Sequence, residues 1–410
     1  MNSRSLLVLA IALLMFAQIA QTLYSPALAD IGQAFIVTAQ ETAQMLSVYF
    51  LAFAFGVVVW GRMCDRLGRR PSMLAGLALY AGASTLALNV RTFDALLMAQ
   101  ALAAFGAAVG SVVTQTVLRD RFKGAELAQV FSAMGIALAA SPAIGLFTGA
   151  SLVEGFGYRG VVACLLLLSS ALWLWCLRVL PETRPPPVAT PALFETLWQM
   201  LGDRDIWRSA LLVALFNVAL FSYYSLGPFA FQRLGLSAQW FGYSGVILAL
   251  GSGLGAWLNK RLLHRGVSGP QLIQVATTLQ LVGGGGVLLF AESPLFVLPM
   301  LLVVLAFGMA IPNVLGSALA GYGDRLGTAG ALFGLLYYLL IGGGLMLAGW
   351  AQALGETLMV CGALAMLLAT ASPRSSSCTE LPASPASRLL QGELILASRR
   401  RCACIARICT

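Results

Sequence analysis

The sequence predicts an all-α integral membrane protein with twelve transmembrane helices in two six-helix halves, on three observations. The first is composition. Of 410 residues, 59% are hydrophobic and 10% charged, whereas a soluble domain carries about 25% charged residues. The second is spacing. Short polar islands divide the chain into apolar runs, and at about 20 apolar residues per span there is room for about twelve. The third is charge alternation. The loops at 61–70, 119–126 and 259–265 are basic, while those at 29–41, 153–158 and 291–294 are short and poor in Lys and Arg. Short loops rich in Lys and Arg stay on the cytoplasmic side, which places both termini inside. On that map, Arg91, Arg159 and Arg233 alone of the 25 Lys and Arg face outward.

The first half, 1–180, holds apolar runs at about 6–28, 42–60, 73–90, 95–118, 128–152 and 160–180. The first run starts after Arg4, carries Gln18 and Gln21, and reaches Pro26 without a small-residue cleavage site, so it reads as an uncleaved helix. A polar stretch at 181–208, with Pro185-Pro186-Pro187 and Asp203-Arg204-Asp205, is expected to be a cytoplasmic linker. The second half, 209–372, holds runs at about 209–232, 240–262, 271–290, 295–320, 330–352 and 357–372. The last is short of a full span. Beyond it, 373–410 is rich in Ser, Pro, Arg and Cys and is expected to be a disordered tail. Arg399-Arg400-Arg401 there suits anionic headgroups, and Cys402-Ala403-Cys404 suits a soft metal. The abrupt break also reads as out-of-frame translation, in which case another frame of the same DNA would continue in apolar residues.

Composition excludes several function classes. The net charge of +9 follows from topology and is no nucleic-acid footprint. One histidine and 16 acids leave no cluster to hold a metal, and no cofactor or enzymatic chemistry is expected. Of eight cysteines, Cys64, Cys164, Cys176 and Cys361 lie in the spans and loops and Cys378, Cys402, Cys404 and Cys409 in the tail, with no pair that reads as a disulfide.

The chain is organised around the island Gly61-Arg62-Met63-Cys64-Asp65-Arg66-Leu67-Gly68-Arg69-Arg70-Pro71. Its glycines suit a tight turn between two spans, and its aspartate can pair with an arginine or face a helix N-terminus. Gly255-Ala256-Trp257-Leu258-Asn259-Lys260-Arg261, after the eighth run, is a degraded copy of it. The pattern G-x-x-x-D-R-x-G-R-R resembles the loop between the second and third helices of the major facilitator superfamily, whose parallel halves the internal copy also matches. Tyr24-Ser25-Pro26-Ala27-Leu28, Leu180-Pro181-Glu182-Thr183, Tyr224-Ser225-Leu226-Gly227-Pro228-Phe229 and Gly327-Thr328-Ala329 are similar to segments of its bicyclomycin/chloramphenicol-resistance (Bcr/CflA) group of drug–proton antiporters. So is Ser141-Pro142-Ala143-Ile144-Gly145, with Gly135 before it and Gly149 after it, which looks like the antiporter motif.

The resemblance implies a monomeric exporter of small amphipathic molecules in the bacterial inner membrane, working by alternating access, with protons as the exchanged partner. It implies a conformational latch of Gly61, Asp65, Arg66, Gly68, Arg69, Arg70 and Asp120, in which Asp65 faces the helix start near Gly327 and Thr328 and Arg69 reaches Asp120. A mid-helix proline such as Pro142 kinks its span, and small residues let helices approach closely; packing and a role in the exchange cycle are both open for that motif.

Two departures bear on coupling. Thr22 stands where relatives carry the helix acid of D-x-Y-x-P-A, and Gln100 stands where they carry the arginine of R-x-L-Q-x-x-G, with Ala103 in place of the glutamine. None of the 16 acids falls near the middle of a span. Proton transfer needs a titratable group in the pathway, leaving Asp30, Asp65 and Asp120 as carriers, or an uncoupled facilitator, or an inactive relic. In the resembled fold the first, fourth, seventh and tenth spans line the cavity. Their candidates here are Gln18, Gln21 and Tyr24; Gln100, Ser111 and Gln115; Asn217, Phe221 and Tyr224; and Met309 with Asn313. The alternative for each is a hydrogen bond that joins helices. Amides and aromatics without carboxylates suit neutral or weakly polar solutes. A metabolite exporter and a membrane-embedded sensor are the competing readings.

Overall fold

A computed structural model describes residues 3–184 and 193–370. These residues are almost wholly helical because lipid offers no partner for backbone N–H and C=O groups, which must pair within each span. The helices are α1 (Ser3–Tyr24), α2 (Leu28–Phe35), α3 (Ala39–Leu67), α4 (Arg69–Asn89), α5 (Phe93–Arg121), α6 (Gly124–Val179), α7 (Leu193–Gly202), α8 (Arg204–Arg233), α9 (Ala238–His264), α10 (Gly269–Leu289), α11 (Val297–Ala318), α12 (Leu326–Ala351) and α13 (Leu354–Thr370). Among the described residues, ten segments are long and apolar enough to cross a membrane.

Two features depart from the expected run of helices. The fifth and sixth spans form one uninterrupted stretch, α6, broken at Gly157, where φ is 63° and ψ −168°. Only glycine adopts that conformation without strain, so the two spans reverse direction there with no loop. Asp30 Oδ2 accepts the Tyr158 N–H at 2.6 Å, capping the helix that restarts after the break. Part of the expected linker is helical, because Leu193–Gly202 is the helix α7. Its residues Leu193 and Leu197 pack beside buried Met200, and that contact stabilises a helix that composition alone would leave as coil. Pro185-Pro186-Pro187 and the 373–410 segment lie outside the described residues, as do the readings made of its cysteines and arginines.

The spans pack through close-approach positions. One apolar core draws on residues from Leu6 to Leu180 together with Phe229, and another on Met200 to Ala369. Gly149 sits against the Leu23 backbone, where an added Cβ would stand 2.5 Å from the Leu23 carbonyl oxygen, and Gly145 abuts Thr22. Gly135 is exposed with nothing within 4 Å of its Cβ position. Ser141 is buried and donates to the Ala137 carbonyl at 2.8 Å, and Pro142 lies within α6. Gly145 and Gly149 therefore close α6 onto α1, while Gly135 plays no part in that contact. Gly149→Val should lower thermal stability of the purified protein by about 1–3 kcal/mol through overpacking. Gly135→Ala should leave the melting temperature unchanged or slightly raised.

Candidate functional site

A cavity of about 810 Å³ opens between α3, α5 and α12 at the end of the bundle that carries the arginine island. Ser111, Gln115 and Thr116 of α5 form one wall, and Gly334, Tyr337 and Tyr338 of α12 another. Arg62, Asp65, Arg66, Arg119 and Asp120 ring its mouth, with Gly327 and Thr328 on the α12 side. The wall thus mixes hydroxyl, amide and aromatic groups with the apolar side chains of Val57, Val58 and Val112, and the charges sit at the rim.

Beside the mouth, polar contacts tie α3, α4, α5 and the end of α6 together. Arg69 is 5% exposed. Its Nε donates to Asp120 Oδ2 at 2.9 Å, and its Nη1 to the Cys64 carbonyl at 3.1 Å and to Asp65 Oδ1 at 3.4 Å. Thr183 Oγ1 donates to the same Asp120 oxygen at 3.0 Å, and Arg70 Nη2 to the Leu177 carbonyl at 2.7 Å. Gly68, with φ 110°, makes the turn between α3 and α4 and has no side chain to cap the α4 N-terminus. Glu182 does that from a distance: its carboxylate accepts the Arg69 N–H at 2.8 Å and the Arg70 N–H at 3.1 Å. Burial opposes the Glu182 charge, but the N–H groups of Arg69, Arg184, Arg70 and Thr183 outweigh it and hold its pKa below the ordinary glutamate value.

The opposite end is closed by a seam with a different chemistry. Ser25 Oγ donates to the Tyr224 carbonyl, Ser225 Oγ to the Ala43 carbonyl at 3.3 Å, Gln44 Nε2 to the Met346 carbonyl at 3.4 Å and Gln352 Nε2 to the Ala39 carbonyl at 3.3 Å. Gln239 Nε2 meets Glu154 Oε2 between α9 and α6. Below the seam runs an aromatic ladder, with Phe50 against Phe221 at 4.5 Å, Phe53 against Tyr338 at 5.0 Å and Tyr337 against Tyr338 at 4.4 Å between ring centroids.

Of the cavity candidates read from the sequence, Ser111 and Gln115 line the opening. The others lie off it in this conformation. Gln21 and Gln100 are buried, the Gln21 Oε1 without a hydrogen-bond partner; Gln18 is half-buried on the same helix, and Tyr24 is buried. Asn217 Nδ2 bonds the Val213 carbonyl one turn back at 2.7 Å. Asn313 Nδ2 donates to Asn259 Oδ1 at 2.6 Å, joining α11 to α9. Met309 packs in the core with Phe216. Phe221 and Tyr224 belong to the aromatic ladder and the seam. Asp65 and the Gly327–Thr328 helix start line the same cavity, and the Asp65 carboxylate bonds Arg69. Gly61 also lines the cavity. Tyr337 and Tyr338 were missed, although adjacent tyrosines in an apolar run were a visible signal. So was the capping role of Glu182, whose partner lies 113 residues away; no local pattern reveals it. Among the described residues no group of His, Cys, Asp and Glu could hold a metal.

Comparison with known proteins gives the chain a lineage. Residues 10–345 match the Major Facilitator Superfamily. An uncharacterized transporter of Rickettsia bellii is 28% identical, with 81% of this chain and 86% of the relative covered. Multidrug resistance protein D of Escherichia coli is 26% identical over 80% of this chain and 84% of its own length, and the chloramphenicol resistance protein of Pseudomonas aeruginosa 28% identical over 80% of each. Among solved structures, a D-xylose-proton symporter superposes with a TM-score of 0.70 at 15% identity, covering 90% of this chain and 98% of its own, which speaks for the fold.

The Glu182 cap yields a prediction with a defined pH window. Because its folded-state pKa is depressed, the carboxylate stabilises the fold fully above its ordinary value of 4.5, and the contribution disappears as pH falls through the folded value. Glu182→Ala should therefore cost about 1 kcal/mol at neutral pH, read as a lower melting temperature in detergent. The gap between variant and parent should narrow below pH 4.5.

Proposed function

The chain belongs to the Major Facilitator Superfamily, and on that premise we propose that this multi-pass transporter exports small amphipathic, drug-like molecules across the bacterial inner membrane. The observation that carries the reading is the asymmetry of the bundle: a cavity of about 810 Å³ open at the basic end and a closed seam at the other. With the basic loops cytoplasmic and both termini inside, this conformation is inward-facing, ready to load from the cytoplasm. Export then requires the 1–180 and 209–372 halves to rock, opening the seam and closing the mouth. The seam suits that cycle, since each uncharged side-chain bond to a backbone carbonyl contributes about 1 kcal/mol and can be exchanged for water.

In the same cycle the arginine island acts as the latch. Asp65 would swing from Arg69 toward the α12 start at Gly327 and Thr328, a helix-dipole contact of about 1 kcal/mol when partly buried. Arg69, held by Asp120, keeps the island in place for it. Gly61, Arg66, Gly68 and Arg70 complete the turn. The drug-resistance names of the relatives support the substrate class, as does a wall of Ser111, Gln115, Tyr337 and Tyr338, which pairs aromatic faces with hydrogen-bonding groups. The protein acts as a monomer, and its partners are the solute, the bilayer and protons.

A second reading, uncoupled facilitation of a drug or metabolite, is favoured by a specific observation. Thr22, at the position of the relatives' acid, bonds the Gln18 carbonyl at 3.1 Å and packs on Gly145. Asp30 is engaged as a helix cap, which leaves Asp65 and Asp120 as the carboxylates lining the cavity. Inverted membrane vesicles loaded with a chloramphenicol-class compound, with and without a proton gradient, separate the two. Gradient-driven accumulation is the expected result, lost in Asp65→Asn or Asp120→Asn; equilibration indifferent to the gradient would establish the facilitator. Gln115→Ala should raise the half-saturating concentration about fivefold, the loss of one hydrogen bond of about 1 kcal/mol.

A further inference from the structure

Helix α7 carries two apolar faces and the bundle covers one of them. Leu193, Leu197 and Met200 pack inward, with Thr196 buried beside them. Phe194, Trp198 and Leu201, spaced i, i+4 and i+7, form a second stripe that the described residues leave open. Phe194 and Trp198 are each 73% exposed. Two large aromatics one turn apart in water would be unfavourable, and each holds its exposure in a helix otherwise well anchored.

The position of α7 says what covers them. The helix lies at the basic end and runs through Asp203 directly into α8, whose first residues Arg204 and Asp205 are exposed. Charged residues at the start of the candidate span Arg204–Arg233 suit a membrane boundary at this junction. Trp207 Nε1 donates to the Leu201 carbonyl at 2.9 Å, and Arg208 Nε to the Leu368 carbonyl in the last turn of α13 at 2.8 Å. On α13, the apolar side chains of Leu364 and Leu367 are exposed, which in a spanning helix suits contact with lipid. These bonds join the open stripe of α7 to the lipid-facing wall at the depth where the spans end. Trp and Phe with nearby Arg is the composition that the headgroup layer takes up. The exposed polar residues Glu195 and Gln199 lie off this stripe.

We propose that α7 is an interfacial helix that docks its Phe194–Trp198–Leu201 face into the headgroup layer of the leaflet at the basic end. The bilayer surface thereby becomes a binding partner of the linker between the halves. The docking has a consequence for the cavity. Leu193 lines the mouth, Arg325 Nη1 donates to Gln199 Oε1 at 3.3 Å, and Tyr322 Oη donates to Asp203 Oδ2 at 3.1 Å. A lipid-held α7 thus fixes one edge of the mouth and the turn that leads into α12, independently of what the transporter carries.

The test uses the full chain and its Trp198→Phe variant, reconstituted in phosphatidylcholine–phosphatidylglycerol vesicles. Subtracting the two emission spectra isolates Trp198 from the other seven of the eight tryptophans, and phenylalanine keeps the face apolar. The expected result is a difference emission mostly lost with lipids brominated near the headgroup, less so with bromine at the chain terminus, and little affected by aqueous acrylamide. Quenching by acrylamide with no effect of brominated lipid would overturn the proposal by placing Trp198 in water. Protection from both quenchers would overturn it by placing the stripe under protein, either the 371–410 segment or a second copy.

Discussion

Lipid cannot hydrogen-bond, and the structure follows from that constraint. Each span must satisfy its backbone within its own helix, so the specific contacts that give the bundle its shape are left to helix ends and to side chains that reach a carbonyl. Three remote partners illustrate it. Asp30 caps the helix that restarts after Gly157. Glu182 caps α4, whose own N-cap residue is a glycine. Trp60 Nε1 bonds the Phe105 carbonyl at 2.7 Å, joining α3 to α5. Each ties together segments far apart in sequence, and the two caps place acids at helix termini where an apolar run could not end cleanly.

The two ends of the bundle use different chemistry, and the difference has mechanical meaning. At the basic end, charge-assisted bonds converge on Arg69, Asp120 and Glu182 within residues 64–184. Such bonds are shorter and about twice as strong as neutral ones, which suits a part that moves as a body. Apart from the Gln239–Glu154 contact, the far seam is made of hydroxyls and amides bonded to carbonyls, with aromatic rings beneath. Those contacts can be broken and rehydrated at modest cost, which suits a gate. The glycines that set α6 onto α1 add rigidity without polarity, because a close backbone approach in lipid relies on dispersion contacts.

The acids among the described residues stand at or near helix ends, and the reason is the same constraint. A carboxylate mid-span would need a partner, and the buried polar positions Thr22 of α1 and Gln100 of α5 are uncharged. The carboxylates at the cavity rim, Asp65 and Asp120, both contact Arg69.

By itself the sequence determined the class, the family and a twelve-span plan, with which the ten long segments agree once Ala140–Val179 is divided at Gly157 and the shorter helix Leu354–Thr370 is added. Hydropathy and loop charge respond to the bilayer residue by residue, and the island from Gly61 to Arg70 is a contiguous motif, so both are legible without a fold. Ser111 and Gln115 were candidates through the resemblance, in which the fourth span lines a cavity, and they line the opening, whereas Gln100 of the same set does not. Tertiary structure alone decided which polar groups meet. It showed that Asn313 pairs with Asn259, that Gln21 and Gln100 are buried off the opening, that Tyr337 and Tyr338 wall the cavity, and that Glu182 caps α4. The physical reason is that periodicity gives a residue's face on its own helix. Which neighbour that face meets depends on how helices more than a hundred residues apart pack, and on which end of the bundle is open.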